Sequence, residues 1–156
     1  MIDIDNNLMW MSCSLGQNWN GKTCKGQPKR YNYEEAKIAA SQTTYAGYSD
    51  WRLPTIQELN SLVYCSNGKY IQYAEDGYGS KKIEGSVFCK SSSHGAYQKP
   101  TISQLSFPNT PYLYYWSSSL LEYNHSYARG VYFYFGNDSS LNHLDKHYVR
   151  LVRSGQ

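Results

Sequence analysis

Cys13, Cys24, Cys65 and Cys89 constrain this chain more than any other feature. An even number of cysteines in a chain rich in Tyr, Ser and Asn points to disulfides and an oxidising compartment. Three pairings are possible. The local one, Cys13–Cys24 with Cys65–Cys89, closes two short loops and is the preferred reading. Four thiols also suit zinc, but the chain has no C-x-x-C and no His pair near them, so no metal is expected. A chain stapled in this way can hold long irregular segments against a modest core.

The regular elements fall around those staples. Residues 1–12 read as an opening strand or hairpin with Asn6-Asn7 as its turn. SLGQNWNGKTCKGQPKR is a Gly- and Asn-rich loop. A helix is predicted over about residues 33–44, where Asn32 followed by Glu35 forms an N-terminal cap and Ala36, Ala39 and Ala40 share a face. A second helix is predicted after Pro54, with Thr55 and Glu58 as a capping box and Ile56, Leu59, Leu62 and Val63 as its buried stripe. Residues 66–99 read as a long irregular insertion tied down by a disulfide. From Ser106 onward, short strands alternate with turn signals: FPNTP, YYWSSS, ARGVYFYFG, a turn at Gly136-Asn137-Asp138, and HYVRLVR. The order predicts one α+β domain over residues 1–156, with two helices packed on short, mostly antiparallel strands.

Composition bears on function. The chain holds 17 Tyr against 4 Phe, and charged residues make up only 17%. Aromatic side chains that carry a hydroxyl suit positions with one apolar and one wet side, and Tyr with Ser, Gly and Asn is also the palette of adaptable binding surfaces. Residues 1–76 carry seven bases and eight acids, net −1, whereas residues 77–156 carry eight bases and four acids, net +4. The basic C-terminal half suggests a polyanionic partner. No apolar run is long enough to span a bilayer as a helix, so no membrane insertion is expected. The chain opens on MIDIDNNLMWM, which reads as strand and turn. The expectation is that the leader and upstream region of an exported parent are absent.

Four segments, in order, carry a family resemblance: LMWM-x-C-S-L-G-Q, AGYSDWRLPTIQEL, FPNTP followed by YYWSSS, and the terminal YVRLVR. Together they resemble the C-terminal domain family of the Legionella collagen-like protein over nearly the whole chain. The resemblance implies a C-type-lectin-like fold, shared with formylglycine-generating enzymes. It further implies an extracellular or cell-surface adhesin module on a collagen-like stalk, a homotrimer, and binding of sulfated glycosaminoglycans or another anionic polysaccharide. The same fold serves variable proteins of diversity-generating retroelements, and residues 122–147 have the composition of such a display surface.

Individual residues are weighed against structural roles. Arg52, beside Trp51, is expected to pair with Asp50 or another acid and to be structural. Arg150 and Arg153 stand at odd spacing in an expected strand and so point to opposite faces, which makes Arg150 the structural one and leaves Arg153 as a surface candidate. The expected polyanion-binding residues are Lys22, Lys25, Lys29, Arg30, Lys81, Lys82, Lys90, Lys99, Arg129, Lys146 and Arg153. In Val131-Tyr132-Phe133-Tyr134-Phe135, alternation assigns Val131, Phe133 and Phe135 to the core and Tyr132 and Tyr134 to the surface. Trp116 reads as core. The expected aromatic and polar contact surface is Tyr123, Asn124, His125, Tyr127, Tyr132, Tyr134 and His147.

Catalysis is not expected. Formylglycine-generating relatives use a cysteine pair and copper, whereas these cysteines belong to loops. His143 and His147 flank Asp145 in a hairpin, where four-residue spacing aligns ligands less well than on a helix. Asn137-Asp138 is too little for calcium. No cofactor and no nucleic acid partner are expected. The functional expectation is a sulfated-polysaccharide adhesin. A Tyr-rich protein-binding display domain and a trimerising cap for a collagen-like stalk are the alternatives.

Overall fold

Both helices begin where the sequence places their caps. In α1 (Tyr33–Gln42) the Asn32 side chain accepts the Glu35 N–H and the Glu35 carboxylate accepts the Asn32 N–H, each at 2.9 Å. In α2 (Ile56–Asn60) Thr55 and Glu58 form the same reciprocal pair. These contacts satisfy amide donors that a helix start leaves open. α1 buries Tyr33, Ala36 and Ala40 on one face. α2 is shorter than its apolar stripe. Leu62 and Val63 are buried, but in the turn that follows, because the Tyr64 N–H bonds the Thr101 carbonyl and Val63 bridges to Ile102.

This computed structural model describes residues 1–72, 87–91, 93 and 95–155, with Gln72 described by its backbone alone. Lys81 and Lys82, and the middle of the expected 66–99 insertion, lie outside the described residues. The strands form four small antiparallel sheets. β1 (Ile2–Asp3) and β2 (Leu8–Trp10) form a hairpin, and β2 also pairs with the terminal β10 (Val152–Ser154), joining the two ends of the chain. β3 (Asn18–Trp19) with β4 (Cys24–Lys25), and β5 (Tyr70–Gln72) with β6 (Val87–Cys89), are short ribbons. β7 (Tyr114–Leu121), β8 (Asn124–Tyr132) and β9 (Asn137–Asn142) make the longest sheet, with a register shift between Trp116 and Leu120. The disulfides are Cys13–Cys24 and Cys65–Cys89, the local pairing.

Two apolar clusters lie on either side of a shared layer. Tyr115 and Val152 enter the first cluster with Trp10, Leu59, Val131 and Phe133, while Trp116 and Leu151 enter the second with Tyr33, Ala36, Trp51 and Val149. Adjacent residues therefore feed opposite clusters, as the two-residue period of an extended chain requires. The consequence reaches the terminal arginines. The end of the chain is covered on both faces, so Arg150 and Arg153 are both buried. The two side chains do leave the chain on opposite faces, Arg150 against Phe107 and Arg153 against Tyr48, but neither face is solvent.

Phe135 also departs from expectation. Strand alternation would bury it, yet it is 44% exposed. The strand ends at Tyr132, and the N–H groups of Phe135 and Gly136 both turn back to the Tyr132 carbonyl. Gly136 takes a φ of +85°, a conformation that a side chain disfavours. Beyond that turn the alternation no longer applies.

Candidate functional site

The stretch from Asn6 to Tyr33 contains no acid and four bases, Lys22, Lys25, Lys29 and Arg30, and all four are exposed. The local structure fixes them. Asn20 caps the β3–β4 turn, its side-chain oxygen accepting the N–H of Lys22 at 3.0 Å and of Thr23 at 2.8 Å. Gly21 supplies the turn's φ of +93°. The Cys13–Cys24 bond anchors one strand, and Asn109 donates to the Cys24 carbonyl at 2.8 Å and to Thr23 Oγ1 at 3.2 Å. The Lys29 N–H bonds the Leu15 carbonyl at 2.9 Å. Trp19, 41% exposed, stands among these cations.

Tyr31 pairs with His147 through two backbone bonds, bringing Arg30 beside the His147–Lys146 corner. The sequence treats these as separate clusters; the fold makes them one neighbourhood. Lys146 lies 3.6 Å from Glu35, both exposed. His147 packs edge-on to Trp116 at 5.0 Å and to Tyr114 at 5.4 Å. Burial lowers its pKa; Asp145 opposes that shift and Arg30 adds to it. His143 stacks on Tyr33 at 4.1 Å, and burial lowers its pKa too.

Several expected cations are committed elsewhere. Arg153 is the clearest correction. It is 4% exposed, bonds both Asp50 carboxylate oxygens at 2.7 and 3.0 Å, and lies 3.8 Å above the Tyr48 ring. Arg129 is half-buried and sits 3.5 Å from Asp138. Lys90 is exposed. Lys99 is exposed, but its ammonium rests 3.6 Å from the centroid of Tyr134. Arg52 makes its structural pair with Glu58 through two 2.8 Å bonds, leaving Asp50 to Arg153. Arg150 is fully buried among carbonyls and hydroxyls, donating to Met11 O at 2.9 Å and Thr110 Oγ1 at 2.7 Å, with Phe107 4.7 Å below. An open groove of about 490 Å³ beside α1 is floored by Trp51 and rimmed by Lys37 and Arg52. Both cations already pair, with Glu34 and Glu58.

The expected aromatic surface divides in two. Tyr123, Asn124 and His125 are exposed at the tip of the β7–β8 hairpin, Tyr123 at 78%. Tyr132 and Tyr134 lie at its base, roughly 25 Å away by strand rise, with Tyr127 half-buried between. At the base the rings stack on one another: Tyr114 on Tyr132 at 4.3 Å, and Tyr132 on Tyr134 at 5.7 Å. Tyr132 is thus sandwiched between two rings, whereas Tyr134 has a ring stacked on one side and the Lys99 ammonium over its face. Tyr112, Phe135 and Trp19 are exposed aromatics and Tyr97 is a half-buried one, none of them expected as contact residues. Only Tyr97, two residues from Lys99, carried a local signal.

The comparisons with known proteins agree with the motif order. The family model for the Lcl C-terminal domain matches residues 1–153. The chain belongs to that family. It is accordingly a C-terminal domain of the collagen-like protein type. No curated protein and no solved structure matches the chain. The segments that carry the Lcl resemblance are mostly scaffold here: Trp10, Trp51, Leu53, Trp116, Val149 and Leu151 are buried, and Arg150 and Arg153 are internal ties. The exposed cations of the first disulfide loop lie mainly between those segments.

Proposed function

We propose that the domain is an adhesin module that binds sulfated polysaccharides at a bacterial cell surface, without catalysis. The observation that carries this reading is the acid-free first loop, with exposed Lys22 and Lys25 in a hairpin held by a disulfide and by Asn109, and exposed Lys29 and Arg30 in the segment that follows it. A loop fixed before binding loses little conformational freedom on contact. Arg offers a planar fork suited to sulfate oxygens, and Lys a mobile point charge. Each exposed contact is worth about 0.5 kcal/mol, so affinity depends on number. A homotrimer presenting the loop three times to one polymer supplies that number through effective concentration. A C-type-lectin-like arrangement and an extracellular location complete the reading, and the two disulfides favour an oxidising environment.

The test is binding of the domain to immobilised heparin and chondroitin sulfate at low and physiological salt, with its mass measured in the same buffers. The expected result is a trimer whose binding weakens steeply with salt, as screening of exposed charges requires. Absence of binding at low salt overturns the polyanion reading.

One observation favours a second reading. The tip residues Tyr123, Asn124 and His125 project a Tyr-rich edge into solvent, which suits a protein-binding display surface. Binding to a protein that survives high salt and is lost in Tyr123→Ala would select it. Monomeric mass would remove both the avidity argument and a trimerising cap on a collagen-like stalk.

A further inference from the structure

Three rings surround one ammonium just beyond the end of β8. Lys99 Nζ lies 3.6 Å from the Tyr134 centroid and 5.7 Å from those of both Tyr97 and Phe135. Tyr134 and Phe135 stand at 86° with centroids 4.7 Å apart, so they form two walls of a corner. Tyr132 stacks behind Tyr134 at 5.7 Å, and Tyr112 leans on it at the same distance, 60° inclined. The corner is open: Phe135 is 44% exposed and Lys99 is exposed. It exists because the chain turns back on the Tyr132 carbonyl and carries Phe135 out of the core.

We propose that Tyr97, Tyr134 and Phe135 form a receptor for a ligand's quaternary ammonium, with Lys99 as its resident occupant. Cations are held by the negative faces of aromatic rings, and boxes of this kind suit quaternary ammonium groups best. A lysine ammonium carries three N–H donors that ring faces satisfy poorly, and among the described residues Lys99 has no carboxylate partner. A quaternary nitrogen carries no donor and loses less on entering. Lys99 holds the site by its tether alone, as a competitor of high local concentration. Once displaced, its ammonium stays within a side chain's reach of the box. The fitting ligand is therefore a zwitterion, with the quaternary nitrogen in the box and a phosphate on the freed Lys99: a phosphocholine group, whether soluble or the headgroup of a lipid. The proposal is independent of the polyanion reading and uses none of the first-loop cations.

The test is titration of the whole domain with tetramethylammonium and with phosphocholine, followed by the ring signals of Tyr97, Tyr134 and Phe135 in NMR, against sodium chloride of equal strength. Lys99→Ala changes an exposed side chain and keeps the fold. It is expected to bind tetramethylammonium at least about fivefold more tightly, because the tethered competitor is gone. It is also expected to lose the preference for phosphocholine over tetramethylammonium that the unmodified chain shows. Adding Tyr134→Leu to Lys99→Ala is expected to abolish binding. If Lys99→Ala binds tetramethylammonium no more tightly, or if Tyr134→Leu leaves its binding intact, the receptor is overturned. Sedimentation with phosphatidylcholine vesicles distinguishes the sources: co-sedimentation assigns the lipid headgroup, and binding of soluble phosphocholine alone assigns a headgroup outside a bilayer.

Discussion

The basic C-terminal half and the near-neutral N-terminal half exchange roles once the chain folds. Residues 77–156 carry the excess charge, yet Arg150 and Arg153 are buried, Arg129 is paired with Asp138, and Lys99 lies on an aromatic ring. Residues 1–76 are net −1, but their acids cluster at Asp3, Asp5 and beyond Tyr33, leaving Lys22 to Arg30 exposed in an acid-free loop. A charge total over half a chain therefore says little about a surface. What matters is whether each cation has a partner, and whether that partner is bulk water.

The difference is broken most severely at Arg150. Its guanidinium ties Met11, Ser12, Ser14 and Thr110 together across the core, and no carboxylate among the described residues neutralises it. Arg150→Ala removes the donor from the Met11 and Ser12 carbonyls and leaves a cavity, while the Ser14 and Thr110 hydroxyls keep only Tyr115 and the Phe107 carbonyl. The expected loss is about 3–5 kcal/mol of unfolding free energy, read by urea titration, with no direct effect on the exposed cations. A loss below about 1 kcal/mol, the scale of a surface change, would mean that Arg150 is not the tie described.

The second break leaves every charge in place and frees the loop that carries them. Replacing Cys13 and Cys24 together by Ser opens a closure with a sequence separation of 11. Chain entropy predicts a loss of about 3 kcal/mol for a loop of this size. Heparin binding should also weaken, because the hairpin would order on contact rather than beforehand. Unchanged affinity in a destabilised variant would show that Asn109 and the Asn20 turn suffice to fix the cations.

Legibility in the sequence follows the same division between local and distant causes. The two capping boxes, the Arg52 pairing and the alternation up to Phe133 are readable because each depends on residues a few positions apart. The disulfide pairing was among three readable options, and the local one is present. Arg153 was misjudged because its fate depends on Tyr48 and Asp50, about a hundred residues away. Phe135 was misjudged because a backbone turn, not a side-chain pattern, ends the strand. The box around Lys99 joins residues 97–99 to 134–135, a contact that no spacing rule reports. The meeting of Arg30 with His147 is of the same kind.

The charge comparison is sharpened most directly by removing the free cations themselves. Lys22, Lys25, Lys29 and Arg30 replaced together by Gln should lower affinity for heparin by about thirtyfold, four contacts of about 0.5 kcal/mol each. Unfolding free energy should change by less than about 0.5 kcal/mol. A parallel set in the C-terminal half, Lys90 and Lys146 to Gln, should have the smaller effect, since it removes two cations rather than four and Lys146 faces Glu35. If the second set weakens binding more than the first, the polyanion site lies in the C-terminal half after all.

The smallest expected effect concerns the corner where the two halves meet. Burial lowers the pKa of His147 below its ordinary value near 6.5, and the same cause acts on His143. Asp145 and Glu34 pull the other way, while Arg30 and Lys37 add to the shift. The folded chain therefore binds fewer protons at these rings than the unfolded chain between the two pKa values. By linkage, stability is complete above about pH 6.5 and declines as pH falls below it, levelling once the folded rings are themselves protonated. The depressed carboxylates of Glu58 and Asp50 lose their contribution only at lower pH, so the window from about 7.5 to 5 reports the histidines together with the Met1 amine, whose pKa burial also lowers. Urea midpoints across that window should fall for the unmodified chain and fall less for His147→Gln. Equal slopes in the two would place the titrating group elsewhere and leave the Tyr31–His147 junction held by its backbone bonds alone.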